Sequence, residues 1–379
     1  MPQDPAATSD VAVIGGGVIG LAVAWRAAQR GLSVCVLERG ELGAGASHVA
    51  AGMLAAVTEA DAGELALLEL GLRSARAWPD FAARLSDAAG ADPGLRSSGA
   101  LVVARDRDEA EALERELALR IELGLDVRRL LPSAARRLEP ALAPTLRLAL
   151  DVPGDHCADP RALVLALAEA ARRVGVTLRT GCAVQRVQHR GGHVTGAGLA
   201  GGEAVRAARV VVAAGAWSGA IAGLPRIPLR PVKGQILRLR DPAGAGLLER
   251  IVRFEGGYLV PRGDGRYVLG ATMEERGFDT TVTAGGIYEL LRDAGELVPG
   301  VHELVIEEMA AGLRPATPDN APLLGRAAEL GGLHWATGHH RNGILLAPVT
   351  AELVVDGLLD GGADVPAAFA AARFAGVPA

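Results

Sequence analysis

The stretch that most constrains this chain is residues 10–38, "DVAVIGGGVIGLAVAWRAAQRGLSVCVLE". Residues 11–14 read as a short buried strand, followed by Gly15-x-Gly17-x-x-Gly20 and a helical run to Arg30. Gly31 terminates that helix, and a second strand occupies 33–37. Strand, glycine turn, helix and strand in this order predict a parallel βαβ unit that holds a dinucleotide. Gly15 permits the tight turn, Gly17 lets a pyrophosphate approach the backbone, and Gly20 lets helix pack on strand. The helix N-terminus then faces the diphosphate charge. Glu38 ends the second strand about 20 residues past the glycines, where a carboxylate accepts both ribose hydroxyls and repels a 2′-phosphate. A glycine-rich turn in an unrelated parallel sheet is the plain alternative, and it would need no acid at that point.

The next segment, "RGELGAGASHVAAGML" (39–54), carries small residues and Ser47 into another expected helix. It allows a second close backbone approach to a cofactor longer than NAD. A surface loop would have little use for the apolar residues at 49–54. With 379 residues, there is room for two domains or one large discontinuous one. A net charge of -5 and 3% aromatic residues give no footing for nucleic acid. Cys35, Cys157 and Cys182 are scattered without a CxxC pair, which argues against a disulfide framework and a thiolate metal site. The start is polar and acidic, and no uncharged apolar run reaches about 18 residues. No membrane partner and a cytoplasmic location are therefore expected.

Amphipathic helices are expected at 64–90 and 106–124, and Asp159 is placed to cap a helix opened by Pro160. Residues 176–187 and 193–199 read as strands of a meander. "RVVVAAGAWS" (209–218) reads as a buried strand returning to the first sheet, which makes the nucleotide domain discontinuous. Between 228 and 309 the pattern is antiparallel sheet. A hairpin turned at Asp264-Gly265 would put Tyr258 opposite Ala271, on one face with Met273, Leu269 and Val260. A core tyrosine is the bland reading of that position.

Two arginines follow. Arg314 precedes Pro315, which holds it extended. Arg341 lies in "GHHRNGILLAP" (338–348), ahead of an apolar helix expected at 344–355. A surface loop, a metal site, a catalytic base and a substrate clamp are all chemically possible there. Adjacent histidines rarely aim at one ion, so metal ranks last. An arginine beside a helix N-terminus suits a reduced flavin next to a carboxylate substrate.

Together these motifs resemble the flavoprotein amine and amino-acid oxidases of the D-amino-acid oxidase superfamily, most closely its glycine oxidases. The resemblance is carried by "VIGGGVIGLAVA", "GASHVAAGML", "LEP", "ADPRAL", "AAGAWS", "PVKGQ", "YLVPRGDGRYVLGATME", "AGLRPATPDNAPLLG" and "GHHRNGILLAP". It implies an α/β plus antiparallel β protein. A discontinuous FAD-binding Rossmann-type (glutathione-reductase-like) domain would span 8–85, 152–226 and 307–379. A substrate domain would span 86–151 and 227–306. Non-covalent FAD would be contacted by Gly15, Gly17, Val18, Ile19, Gly20, Glu38, Arg39, Ser47, Ala50, Ala51, Met53 and Val184. Gly215, Trp217, Gly338, His339, Arg341, Asn342, Gly343, Ile344 and Leu345 would complete that set. Tyr258, Arg314 and Arg341 would hold the substrate carboxylate, and Met53, Glu59 and Met273 would wall the pocket. His340 departs from the pattern, where an aromatic residue is usual.

The activity implied is oxidation of glycine or a small amine by oxygen in a homotetramer, with no side-chain general base, feeding thiazole synthesis. A D-amino-acid dehydrogenase or sarcosine-type oxidase of the same fold is the nearest alternative. A flavin-binding interaction protein is the non-enzymatic one.

Overall fold

A computed structural model describes residues 9–244, 246–359 and 365–374; the polar start at 1–8 lies outside the described residues. Strand Ser9–Ile14 leads through the glycine turn into helix Val18–Gln29 and back through Val34–Leu37, which lies parallel to the first strand. Residues 11–14 of the first strand and all of the second are buried, as a sheet covered on two sides requires. Side-chain alternation divides them. Val11 and Val13 join the core under helices Val18–Gln29, Leu65–Ala89, Pro160–Arg173 and Ala347–Leu358. Ala12, Ile14, Cys35 and Leu37 join a second core on the opposite face.

This first sheet has eight strands. Ala204–Val212 lies parallel to Ser9–Ile14 on one side and to Leu333–Thr337 on the other, so the late chain does return to the first sheet. The stretch at 176–187 is not one strand of a meander. Thr177–Arg179 pairs with Val34–Leu37, while Val184–Arg190 pairs antiparallel with His193–Leu199. Gly181, at φ 65°, turns the chain between them.

The second sheet, also of eight strands, runs in the order Val305–Ala316, Arg230–Arg240, Arg266–Gly270, Gly257–Pro261, Ile251–Phe254, Ala100–Ala104, Leu148–Val152, Arg128–Leu130. Its pairings are antiparallel except the one joining Ile251–Phe254 to Ala100–Ala104. Val305–Ala316 belongs entirely to this sheet, so the expected division at 306/307 cuts through a strand. Helix Ala284–Leu297 interrupts the region expected to be sheet alone. Ile287, Leu290, Leu291, Ala294 and Leu297 carry a helical period and pack on the sheet, and Thr283 caps the N-terminus through Gly286 N–H.

The hairpin register differs from expectation by one residue. Arg262 N–H bonds the Arg266 carbonyl at 2.8 Å, enclosing Gly263-Asp264-Gly265, so the loop has three residues and not two. Tyr258 therefore pairs with Gly270, and its face is shared with Val260 and Val268. Leu269 lies with Leu259 in the core behind. A one-residue slip moves every side chain of the far strand to the other face. Met273 falls beyond the strand end, 66% exposed.

Candidate active site

A cavity of about 1350 Å³ runs between the two sheets, from the glycine turn to the late histidine–arginine segment. That exceeds the roughly 300–1,000 Å³ of ordinary small-molecule pockets and suits a dinucleotide together with a substrate.

At the glycine-turn end, Gly15 has φ 108°, and a side chain there would strike the Ala213 carbonyl. Gly17 lines the cavity, and its nearest neighbour to an added Cβ is Ser47 Oγ at 3.3 Å. Gly20 does not line it; a Cβ there would collide with the Gly15 carbonyl, so this glycine serves helix–strand packing. Ser47 Oγ accepts the Val18 N–H at 3.0 Å, capping the helix from 29 residues away. The Glu38 carboxylate accepts Gly16 N–H at 2.7 Å and Gly40 N–H at 2.9 Å, which fixes it at the cavity wall. Trp217 is held between the Arg39 guanidinium, 3.6 Å from its ring centroid, and Phe278 at 5.6 Å. Val18, Ile19, Ala50, Ala51, Met53, Val184 and Gly215 also line the cavity.

At the other end, Arg314 lies across Gly234, where a side chain would overlap its guanidinium. Its Nη1 donates to the carbonyls of Thr272 at 3.1 Å and Lys233 at 3.3 Å, and its charge acts on the Tyr258 phenol. Among the described residues Arg314 meets no carboxylate. Burial pushes the Tyr258 phenol above its usual range, Arg314 opposing it, so the hydroxyl keeps its proton.

Arg341 is engaged differently from a free clamp. Its Nε pairs with Glu59, and an Nη reaches Glu64 at 3.5 Å. Glu59 also accepts from Arg253 Nε at 3.2 Å. Burial opposes ionisation of Glu59, but Arg253 and Arg341 outweigh it and hold the carboxyl below its usual range. Glu59 is thus the hub of an ion-pair network as well as a wall. Sequence reasoning missed Arg253, although "RFEGGY" held the signal: a tight hairpin there sets Arg253 opposite Tyr258.

The late segment is not helical from Ile344. Residues 340–342 form a short 3-10 turn, further turns follow, and the helix starts at Ala347 with Pro348 in its first turn, the position proline favours. His339, Arg341, Asn342, Gly343 and Ile344 line the cavity. Gly338 and Leu345 do not. Leu345 is in the core, its carbonyl held by Ser74 Oγ at 2.6 Å and Trp78 Nε1 at 2.8 Å. His339 Nε2 meets Thr350 Oγ1 at 3.0 Å, and burial takes its pKa down to about 3, which makes a proton-accepting role unfavourable. His340 lines the cavity with φ 48° and a buried Nδ1 that has no hydrogen-bond partner. No cluster suited to a metal occurs among the described residues.

The model of the FAD dependent oxidoreductase family, DAO, matches residues 10–357. The chain belongs to that family. It is 38% identical to the glycine oxidase of Geobacillus kaustophilus over 355 residues, 92% of each chain. It is 36% identical to the bifunctional protein ThiO/ThiG of Trichormus variabilis, covering 93% of this chain and 53% of that one. The crystal structure of the Geobacillus kaustophilus glycine oxidase superposes with a TM-score of 0.90 at 36% identity, covering 97% of this chain and 99% of that one. FAD is the cofactor of this family, and the glycine cradle, the Glu38 carboxylate and the length of the cavity fit it.

Proposed function

We propose that this member of the family oxidises glycine and small amines such as sarcosine or D-alanine. Glycine, oxygen and water are converted to glyoxylate, ammonia and hydrogen peroxide. One observation carries the reading above the others: Arg314 is a half-buried cation that faces the cavity beside Tyr258 and, among the described residues, meets no carboxylate. A substrate carboxylate supplies the missing anion. A guanidinium fixes the orientation of its partner as well as its charge. The neutral Tyr258 hydroxyl adds a hydrogen bond that needs no proton exchange.

Bound non-covalently, FAD supplies the two-electron oxidant, which oxygen regenerates. The chain's part is to orient the substrate against that cofactor and to keep the charges around it fixed. Arg341, secured by Glu59 and Glu64, closes the carboxylate side and adds positive charge there. Met53 and Met273 wall the pocket around the α-carbon. No side chain is assigned as base: Glu59 is held ionised between two arginines, and His339 is buried and bonded to Thr350. The substrate amine enters deprotonated.

We assign residues lining the glycine-turn half of the cavity to FAD and those around Arg314 to the substrate. A soluble cytoplasmic homotetramer that delivers its imine product to thiazole formation completes the reading. Anaerobic glycine should bleach the yellow holoenzyme, and in air peroxide and glyoxylate should appear in equal amounts. If glycine, sarcosine and D-alanine all left the flavin spectrum and oxygen level unchanged, the reading would be wrong.

A further inference from the structure

His340 has no task in the reading above, yet its position is costly. It holds a left-handed backbone, φ 48°, which residues with a Cβ seldom adopt. It is 9% exposed, and its Nδ1 is sealed from solvent without a hydrogen-bond partner. A bridge between Ala316 and His339 sets it beside the end of the strand that carries Arg314. The charges of Arg314, Arg341, Arg230 and Glu59 all act on its ring. Of these, Arg230 bonds Glu275, and Arg341 is engaged by Glu59 and Glu64.

A neutral imidazole has one N–H and one lone pair. A proton on Nδ1 would be stranded in a sealed place, which disfavours that tautomer. The proton therefore belongs on Nε2, the only ring donor left for a ligand. Burial first and the arginines second keep the ring neutral, its pKa falling to about 4.

We infer that His340 is a specificity-determining residue whose Nε2–H bonds the substrate carboxylate jointly with Arg314. This rests on the carboxylate reading of the site. Carboxylate recognition is then shared between Arg314 and His340, while Arg341 acts mainly through its network with Glu59. A neutral donor beside a cation favours a compact carboxylate and disfavours an uncharged ester or amide in the same place.

The test uses FAD-loaded wild type and His340→Phe, which keeps a ring and removes both nitrogens. Acetate, a carboxylate without an amine, is titrated against the flavin absorbance, and glycine KM and kcat are measured alongside. The expectation is acetate binding weaker by about tenfold and a glycine KM raised about as much, for the loss of one charge-assisted bond. The kcat should stay within about twofold, and His340→Gln should recover part of the acetate affinity. His340→Met is a second apolar replacement should the Phe variant lose FAD. An unchanged acetate affinity in the apolar variants, a fall in kcat with KM unmoved, or a wild type indifferent to acetate overturns the proposal. The acetate titration needs no turnover. Failure of glycine oxidation would show in the wild type, and failure of this proposal in its comparison with the variants.

Discussion

His339 and His340 tie the site to pH through their burial. An imidazole in the unfolded chain takes up a proton near pH 6.5, whereas these two do so in the folded chain only near 3 and 4. Between those values the unfolded state binds more protons, so stability falls as pH drops from 6.5. Each ring contributes up to about 1.4 kcal/mol per pH unit. Glu59 acts in a different window: its folded pKa is depressed, so its contribution persists until pH falls below the ordinary carboxylate value. The expected result is that His340→Phe flattens the loss of stability between pH 6.5 and about 4.5, read from urea midpoints at successive pH values. Taking the difference from wild type cancels the remaining titrating groups. An identical pH slope in both proteins would contradict the burial argument. At this scale the sequence was most legible where sterics are local. Gly15 and Gly20 meet the steric demands their spacing implied, because each is fixed by backbone packed against it, Ala213 for Gly15 and Gly15 for Gly20. The partners of Arg341 were illegible, since Glu59 and Glu64 lie more than 270 residues back and nothing local encodes that meeting.

The segment at 55–59 shows how elements hold Glu59 in place. Asp155, fully buried, accepts Val57 N–H at 3.0 Å and Thr58 N–H at 2.7 Å. From helix Arg107–Glu122, the buried Arg120 donates to the carbonyls of the same two residues, at 2.9 Å and 2.7 Å. Donors and acceptors of two consecutive peptides are thus saturated by one acid and one arginine, leaving Glu59 little freedom. Asp155→Ala strands two buried N–H groups and should cost about 2–4 kcal/mol, measured by denaturant unfolding. It should also raise the KM for the carboxylate substrate more than it lowers kcat, because Glu59 and with it Arg341 lose their anchor. Helices announced themselves by period and caps, as at Asp159 and Pro160. Loop length did not: the extra residue between Pro261 and Tyr267 changed which side chains share a face with Tyr258. Two-residue and three-residue loops draw on the same Asp and Gly residues, so composition alone could not choose between them.

Across the whole molecule, the cavity is walled by both sheets, so cofactor binding couples their stability. FAD at a hundred times its dissociation constant should stabilise the chain by about 2.7 kcal/mol. Removing it should lower the melting temperature, and adding it back should restore a single transition. Two unlinked transitions, only one of them moved by FAD, would show that the sheets do not share the ligand. The two-sheet organisation was readable from the glycine fingerprint and the later change of period. The boundary was not, because Val305–Ala316 continues the second sheet's ladder to the residues that enter the site. No described helix is long and apolar enough to cross a membrane. The first sheet begins with Ser9–Ile14 and gains Leu333–Thr337 only after the second sheet has passed. During synthesis, therefore, the glycine cradle emerges early and waits for its far wall. Residues 339–344 leave the ribosome more than 300 positions after Gly17. Until they do, the nascent chain presents half a cofactor site with an open sheet edge, a state prone to mispairing. With FAD placed between these two walls as proposed, cofactor capture would be a late event in the life of each molecule, and the supply of FAD should bear on how many chains mature as well as on how fast they work.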